Sequence, residues 1–232
     1  MNRPEIICHM TISIDGKVTG PFLETQAALD ASEYYYQIHR RSNAQAFACG
    51  RVTMESSFTK GNEPDYIKKG KAGHFEDYIG GKASFYAVSF DRKGRLGWSK
   101  NKIEDEDPGY NQAHIIEVLT GQADAGYLEY LRSKEISYIY AGENDLDLGM
   151  ALEKLKDLFG IETLLLEGGS VINGAFEKEG LIDKLSLVVA PVLADDLGKD
   201  LFEDGSIQAY SLTDIEQLGR SCIWMQYERK KG

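Results

Sequence analysis

The sequence predicts an α/β protein: a central, mostly parallel sheet flanked by helices, with a C-terminal antiparallel hairpin. Three observations predict it. Short apolar runs of strand length recur through the chain and alternate with stretches of helical period, the pattern of buried parallel strands joined by helices. Several runs end in a glycine turn followed by a helix start, as strand-to-helix connections do. The last two strand-like runs, 209–218 and 221–229, are separated only by Gly219-Arg220, too short a link for anything but a hairpin.

Bulk properties narrow the class of function. The chain has 232 residues, 42% hydrophobic and 10% aromatic, enough for a large core and too apolar for disorder. Its 26 basic and 37 acidic residues leave a net charge of −11, which argues against binding nucleic acid or a membrane surface. A small anion held by local donors remains compatible. Cys8, Cys49 and Cys222 are odd in number and lack metal-like spacing, so free thiols in a reducing cytoplasm are expected and no metal site is. No apolar run reaches the ~18–20 residues that span a bilayer. Met1-Asn-Arg-Pro-Glu leads into a strand and not into a signal peptide. No repeat or linker divides the chain, so one domain over residues 1–232 is expected.

The elements follow in order. Residues 6–13 read as a first strand that ends at a turn, Asp15-Gly16, with Lys17 just beyond. His9 within that strand reads as a hydrogen-bonded core histidine. A helix is expected from Thr25 to about Arg41, with Tyr34-Tyr35-Tyr36 packing along it and His39-Arg40-Arg41 at the negative end of its dipole. Residues 46–49 form a buried strand that stops at Gly50-Arg51-Val-Thr53, a second glycine turn before a helix start. Arg51 there brings positive charge to a place where a phosphate would sit. Residues 59–82 are polar and rich in glycine and lysine, predicting a mobile excursion with a short helix near its end. Strands are expected at 84–90, 114–119 and 137–141, with an irregular connection through 91–98. Helices are expected at 123–134 and 148–159, the latter stopped by Gly160.

The organising stretch is 161–192. Residues 163–166 are a short apolar run that ends at Glu167-Gly168-Gly169. Ser170 reads as the N-cap of a helix to Gly180, and residues 185–189 as another buried strand before Pro191. The free N–H groups at such a helix start favour an anion, and two glycines let a ligand approach the backbone. Glu167 ends the strand where open α/β sheets bind ligands.

Taken together, Thr11-Ile-Ser-Ile-Asp15-Gly16-Lys17, Gly50-Arg51-Val-Thr53, Ala141-Gly142-Glu-Asn-Asp-Leu, Leu166-Glu167-Gly168-Gly169-Ser170-Val-Ile-Asn173 and Gly180-Leu-Ile-Asp183…Ala-Pro191-Val resemble the RibD C-terminal family. This is the reductase half of the riboflavin-biosynthesis deaminase–reductase, with a dihydrofolate-reductase-like fold. The pieces occur in the family's order and span nearly the whole chain. The resemblance implies NADPH as reductant, a homodimer, and reduction of the ribose of a pyrimidine ribosylamino phosphate. By position it implies Gly50, Arg51, Thr53, Gly142, Gly168, Gly169, Ser170 and Val171 at the cofactor. It places Asp15, Lys17 and Glu167 at the border of substrate and nicotinamide, and Arg41 near the substrate phosphate. It also implies an unusual backbone at Gly168-Gly169, either a cis peptide or an ordinary trans turn with Gly169 at positive φ. Two departures stand out. Glu55-Ser56-Ser57-Phe58 replaces the acidic pair and proline of the riboflavin enzymes, and the deaminase's His-x-Glu with Pro-Cys-x-x-Cys is absent from this sequence.

The expected chemistry is hydride transfer. Lys17 would stabilise charge on the reduced oxygen or nitrogen or donate the proton, and Glu167 would orient substrate hydroxyls or hold Lys17. Two other readings stay open: a non-catalytic NADP-binding sensor module, and a pterin- or dihydrofolate-type C=N reductase suggested by fold analogy.

Overall fold

The computed structural model describes residues 2–230. The chain forms two compact units, one of Ala44–Leu164 with the first residues to Pro4, the other of Glu5–Asn43 with Leu165 onward.

In the first unit, strands β2 (Ala46–Gly50), β3 (Tyr86–Phe90), β4 (His114–Leu119) and β5 (Ser137–Tyr140) lie in the order β5-β4-β3-β2 and run parallel throughout. Phe47, Ala48, Ala87, Val88, Ile115, Ile116 and Val118 are wholly buried although neighbours along a strand face opposite ways, so both sheet faces are covered. Helices α3 (Ala125–Ser133) and α4 (Leu148–Phe159) pack against β5. In α4 the residues Leu148, Leu152, Leu155 and Phe159 form the buried stripe. Asp147 caps it by accepting from the Met150 N–H, and Gly160 at φ 69° ends it.

Residues 59–82 differ from expectation, because no helix forms near their end. A five-residue π-helical turn, Glu55–Thr59, follows the short helix α2 (Arg51–Met54). The rest is irregular chain without an apolar helical stripe, and its backbone groups bond to the neighbouring fold instead. The Asp124 carboxylate accepts from the N–H groups of Lys69 and Gly70. Tyr78 and Tyr138 exchange both backbone hydrogen bonds at 2.9 Å, which covers part of the free edge of β5.

In the second unit, β1 (Glu5–Ile12) pairs parallel with β7 (Lys184–Val189). The hairpin β8 (Tyr210–Leu218) and β9 (Cys222–Arg229) adds antiparallel to β7, in the order β1-β7-β9-β8. Helix α1 (Gln26–Arg41), capped by the Thr25 hydroxyl, places Ala28, Ala31 and Ile38 against Val188, Ala190, Leu218 and Cys222, with Tyr34 and Tyr35 packed alongside. His9 is the satisfied core histidine its position predicts. Its ring stacks on Tyr35 at 4.3 Å, its Nε2 donates to the Tyr35 carbonyl, and its Nδ1 accepts from the Ser186 hydroxyl. Burial holds its pKa below the ordinary value. Strand β6 (Thr163–Leu166) carries the chain from the first unit to the second and leads into α5 (Ser170–Lys178).

The α/β class, the mostly parallel sheet, the flanking helices and the terminal hairpin are thus all present. All three cysteines are buried and free. Among the described residues no helix is long and apolar enough to cross a membrane.

Candidate active site

The second unit holds the β6–α5 turn. The Gly168-Gly169 peptide bond is cis, Gly168 has φ 91°, and Gly169 is extended at φ −74°. A side chain at Gly168 would meet the Met10 thioether at 3.2 Å in a conformation that L residues rarely adopt. Ser170 corrects one expectation: the N-cap is Gly169, and Ser170 is the first helical residue. Its hydroxyl donates to the Asp200 carbonyl, and its oxygen accepts from no N–H of the helix among the described residues, because residues 199–206 run past the helix start. In the same contact, the Glu203 N–H donates to the Ser170 carbonyl and Asn173 Nδ2 to the Leu201 carbonyl.

The helix therefore begins without a side-chain cap. The N–H groups of Ser170, Val171 and Ile172 make no hydrogen bond among the described residues, and the Val171 side chain is 61% exposed. Open N–H donors of a nine-residue helix, next to a glycine pair, suit the phosphates of a dinucleotide. Nearby Asn173 is fully buried, with its Oδ1 unpartnered.

The turn after β1 presents the expected substrate-side residues. Ser13 and Lys17 close it: the Ser13 N–H donates to the Lys17 carbonyl and the Lys17 N–H to the Ser13 hydroxyl, both at 2.9 Å. Gly16 takes φ 83°. Asp15 is exposed and accepts from the Ala194 N–H, and that bond, with one from Ser13, holds its pKa below the usual carboxylate range. The Lys17 ammonium lies 2.6 Å from Asp200, whose hydrogen bond raises the lysine pKa.

Glu167 does not hold Lys17. Its carboxylate accepts from His39 Nδ1 at 2.7 Å, and the two side chains are 3% and 2% exposed. His39 was missed as a site residue because it closes a helix beside two arginines. Its spacing from Ala28, Ala31, Tyr35 and Ile38 does put it on the inward face of α1. Arg41, on the opposite side, is exposed, and its Nε donates back to the Gln37 carbonyl.

The first unit holds the remaining candidates at the carboxyl ends of its parallel strands, the edge where such sheets bind ligands. Arg51, just beyond β2, pairs with Glu55 at 2.6 Å and remains 23% exposed. Gly50 and Thr53 are partly buried beside it. Gly142 follows β5 at φ 107° and accepts from the Gly121 N–H at the end of β4. A Cβ there would lie 2.2 Å from the Asp145 carbonyl, so glycine is required. Asp91, after β3, accepts from the N–H groups of Arg95 and Leu96. Burial raises its pKa, opposed by hydrogen bonds from the Arg95 and Lys93 N–H groups and by the charges of Arg95 and Arg51. Among the described residues no group of three His, Cys, Asp or Glu side chains is arranged to hold a metal.

Comparison with known proteins adds independent findings. The RibD C-terminal domain model matches residues 4–223. A 2,5-diamino-6-ribosylamino-4(3H)-pyrimidinone 5′-phosphate reductase of Methanothermobacter thermautotrophicus is 35% identical over 98 residues, 42% of this chain and 40% of that protein. The reductase of the same name from Aquifex aeolicus is 22% identical over 83% of this chain and 79% of its own length. Among solved structures, a pyrimidine reductase-like protein from Corynebacterium diphtheriae aligns with a TM-score of 0.69 and 16% identity, over 100% of this chain and 94% of its own. RibD of Acinetobacter baumannii gives 0.69 and 20%, with this chain spanning 59% of its length. At these identities the solved structures establish the shared α/β fold.

Proposed function

Because the chain belongs to the RibD C-terminal domain family, we propose that it is an NADPH-dependent reductase of the riboflavin-biosynthesis type. Its substrate is a pyrimidine ribosylamino phosphate, reduced at the ribosyl carbonyl or imine carbon. The reductases named above support this substrate class. The observation that carries the cofactor reading is the uncapped amino end of α5, with open N–H donors beside Gly168 and Gly169.

When bound, the nicotinamide supplies the hydride. The chain's own residues bind, orient and move the proton. The Ser170 and Val171 N–H groups hold phosphate oxygens, and the two glycines leave the approach open. Gly50, Arg51, Thr53 and Gly142 keep the cofactor-binding roles that the resemblance assigns. Lys17, kept cationic by Asp200, faces the charge that develops on the reduced oxygen or nitrogen and returns a proton there, directly or through a water. Asp15, fixed by the Ala194 N–H, orients substrate hydroxyls, and Arg41 meets the substrate phosphate. A single reductase domain, a homodimer and a cytoplasmic location belong to the same proposal.

Calorimetric titration with NADPH and NADH, followed by turnover with ribosylamino-pyrimidine phosphate and pterin substrates, tests it. Saturable binding that prefers NADPH, with oxidation driven by the ribosylamino compound, is expected. No binding of either nucleotide ends the cofactor reading. Binding without turnover leaves a nucleotide-binding module, and turnover only with pterins leaves a C=N reductase.

A further inference from the structure

The Gly168-Gly169 turn has no side chains with which to fix its own direction. Its placement must come from the residues on either side. On one side, the Ser170 hydroxyl is tied to the Asp200 carbonyl. On the other, Glu167 turns inward, and its carboxylate takes the His39 Nδ1–H at 2.7 Å.

That pair joins residues 128 positions apart, from the last turn of α1 and the end of β6. Both side chains are almost wholly removed from water. A buried carboxylate is costly unless it is well hydrogen-bonded, so loss of the imidazole would weaken the hold on Glu167 and would move the turn that follows it. The Lys17 ammonium is held by Asp200 and the Glu167 carboxylate by His39. The acid therefore acts on the site through the backbone it anchors.

We infer that His39 is a positioning residue: by fixing Glu167 it sets the β6–α5 turn and the direction of the open N–H groups at the start of α5. The inference rests on the cofactor reading above for its effect on binding, and on geometry alone for its effect on the turn. It also joins two expected sites, because the helix that carries His39 ends in Arg41.

The test compares His39→Asn with His39→Leu. Asparagine places an amide N–H close to the position of Nδ1, whereas leucine fills the space and donates nothing. The expected result is that H39N binds NADPH within about threefold of the unaltered protein, and H39L at least about tenfold more weakly, the usual scale of one hydrogen bond to a charged group. A second readout needs no ligand. The Asn173 amide, which donates to the Gly169 carbonyl at 3.1 Å, should exchange its hydrogen about tenfold faster in H39L than in H39N.

If H39L fails to fold, His39→Leu with Glu167→Met replaces the whole pair by apolar groups, a change that buried pairs often tolerate. That folded double variant should still show weak NADPH binding and fast Asn173 exchange. Unchanged exchange in a folded H39L or double variant overturns the inference, as does equal loss in H39N and H39L. If the unaltered protein binds no nicotinamide nucleotide, the cofactor reading fails, and the exchange measurement still decides the role of His39.

Discussion

Lys17 and Glu167 follow strands β1 and β6 closely, and both could be read as site residues from that position alone. Their partners could not. Lys17 meets Asp200, 183 residues away, and Glu167 meets His39. The lysine stays cationic because Asp200 raises its pKa, with Asp15 adding to the effect, so it suits charge stabilisation better than base catalysis. Lys17→Met should therefore lower kcat by about two orders of magnitude, the usual scale for loss of a positioned acid or electrostatic stabiliser. NADPH affinity should stay within about twofold. Steady-state rates combined with nucleotide titration measure both, and lost affinity with unchanged turnover would put Lys17 on the cofactor side.

At the scale of elements, the parallel pair β3–β4 contains a buried acid whose neighbours were not legible in sequence. Glu117 is fully buried, directly across from Ser89, and accepts from the Trp98 indole N–H. Its Oε2 and the Ser89 hydroxyl both lack a partner, and a proton on Oε2 would let it donate to Ser89. Burial, reinforced by Asp91, raises the Glu117 pKa well above its ordinary 4.5. A carboxyl whose folded pKa exceeds its unfolded value favours folding most at low pH. Its contribution is lost as pH rises from the unfolded pKa through the folded one. Glu117→Gln keeps the acceptor for Trp98 and supplies a donor to Ser89. The fall in thermal midpoint from about pH 5 to pH 8 should be shallower in E117Q than in the unaltered protein. Identical pH slopes would show that Glu117 does not titrate there.

Helix α5 offers a second element-scale expectation. Alanine at Gly174 would gain about 1 kcal/mol in helix propensity. Its Cβ would lie 1.8 Å from the Glu203 carbonyl, a backbone atom with little room to yield. Overpacking of this kind costs about 1–3 kcal/mol and should outweigh the gain, lowering the melting temperature by a few degrees. A higher melting temperature for Gly174→Ala would show that the 199–206 segment gives way without cost.

Across the whole molecule, a net charge of −11 coexists with local positive groups at Arg51, Lys17 and Arg41. That distribution suits a small phosphorylated ligand better than a polyanion. The family model runs across both compact units. Every residue of β8 from Ser211 to Gln217 is exposed, including Leu212 at 52% and Ile215 at 56%. An outer strand left open on both faces, with apolar side chains among them, suits contact between copies. Light scattering at micromolar concentration should accordingly give twice the mass of the chain. A mass equal to one chain would remove the homodimer from the proposed function.

The sequence by itself determined the class of fold, the family and the succession of elements outside residues 59–82. Those depend on local signals: apolar period, a Gly160 stop, and a glycine pair after a short strand. Helix α4 was legible to the residue, because its apolar stripe and its Gly160 stop are both local signals. The tertiary structure alone decided which groups meet. It put Glu167 against His39, Lys17 against Asp200, the Ser170 hydroxyl on the Asp200 carbonyl, and residues 59–82 along the edge of β5 in place of a helix. Each of those contacts joins residues far apart in the chain. A buried or turn-bound polar group takes the partner that packing brings within hydrogen-bond reach, and local spacing carries no record of that partner.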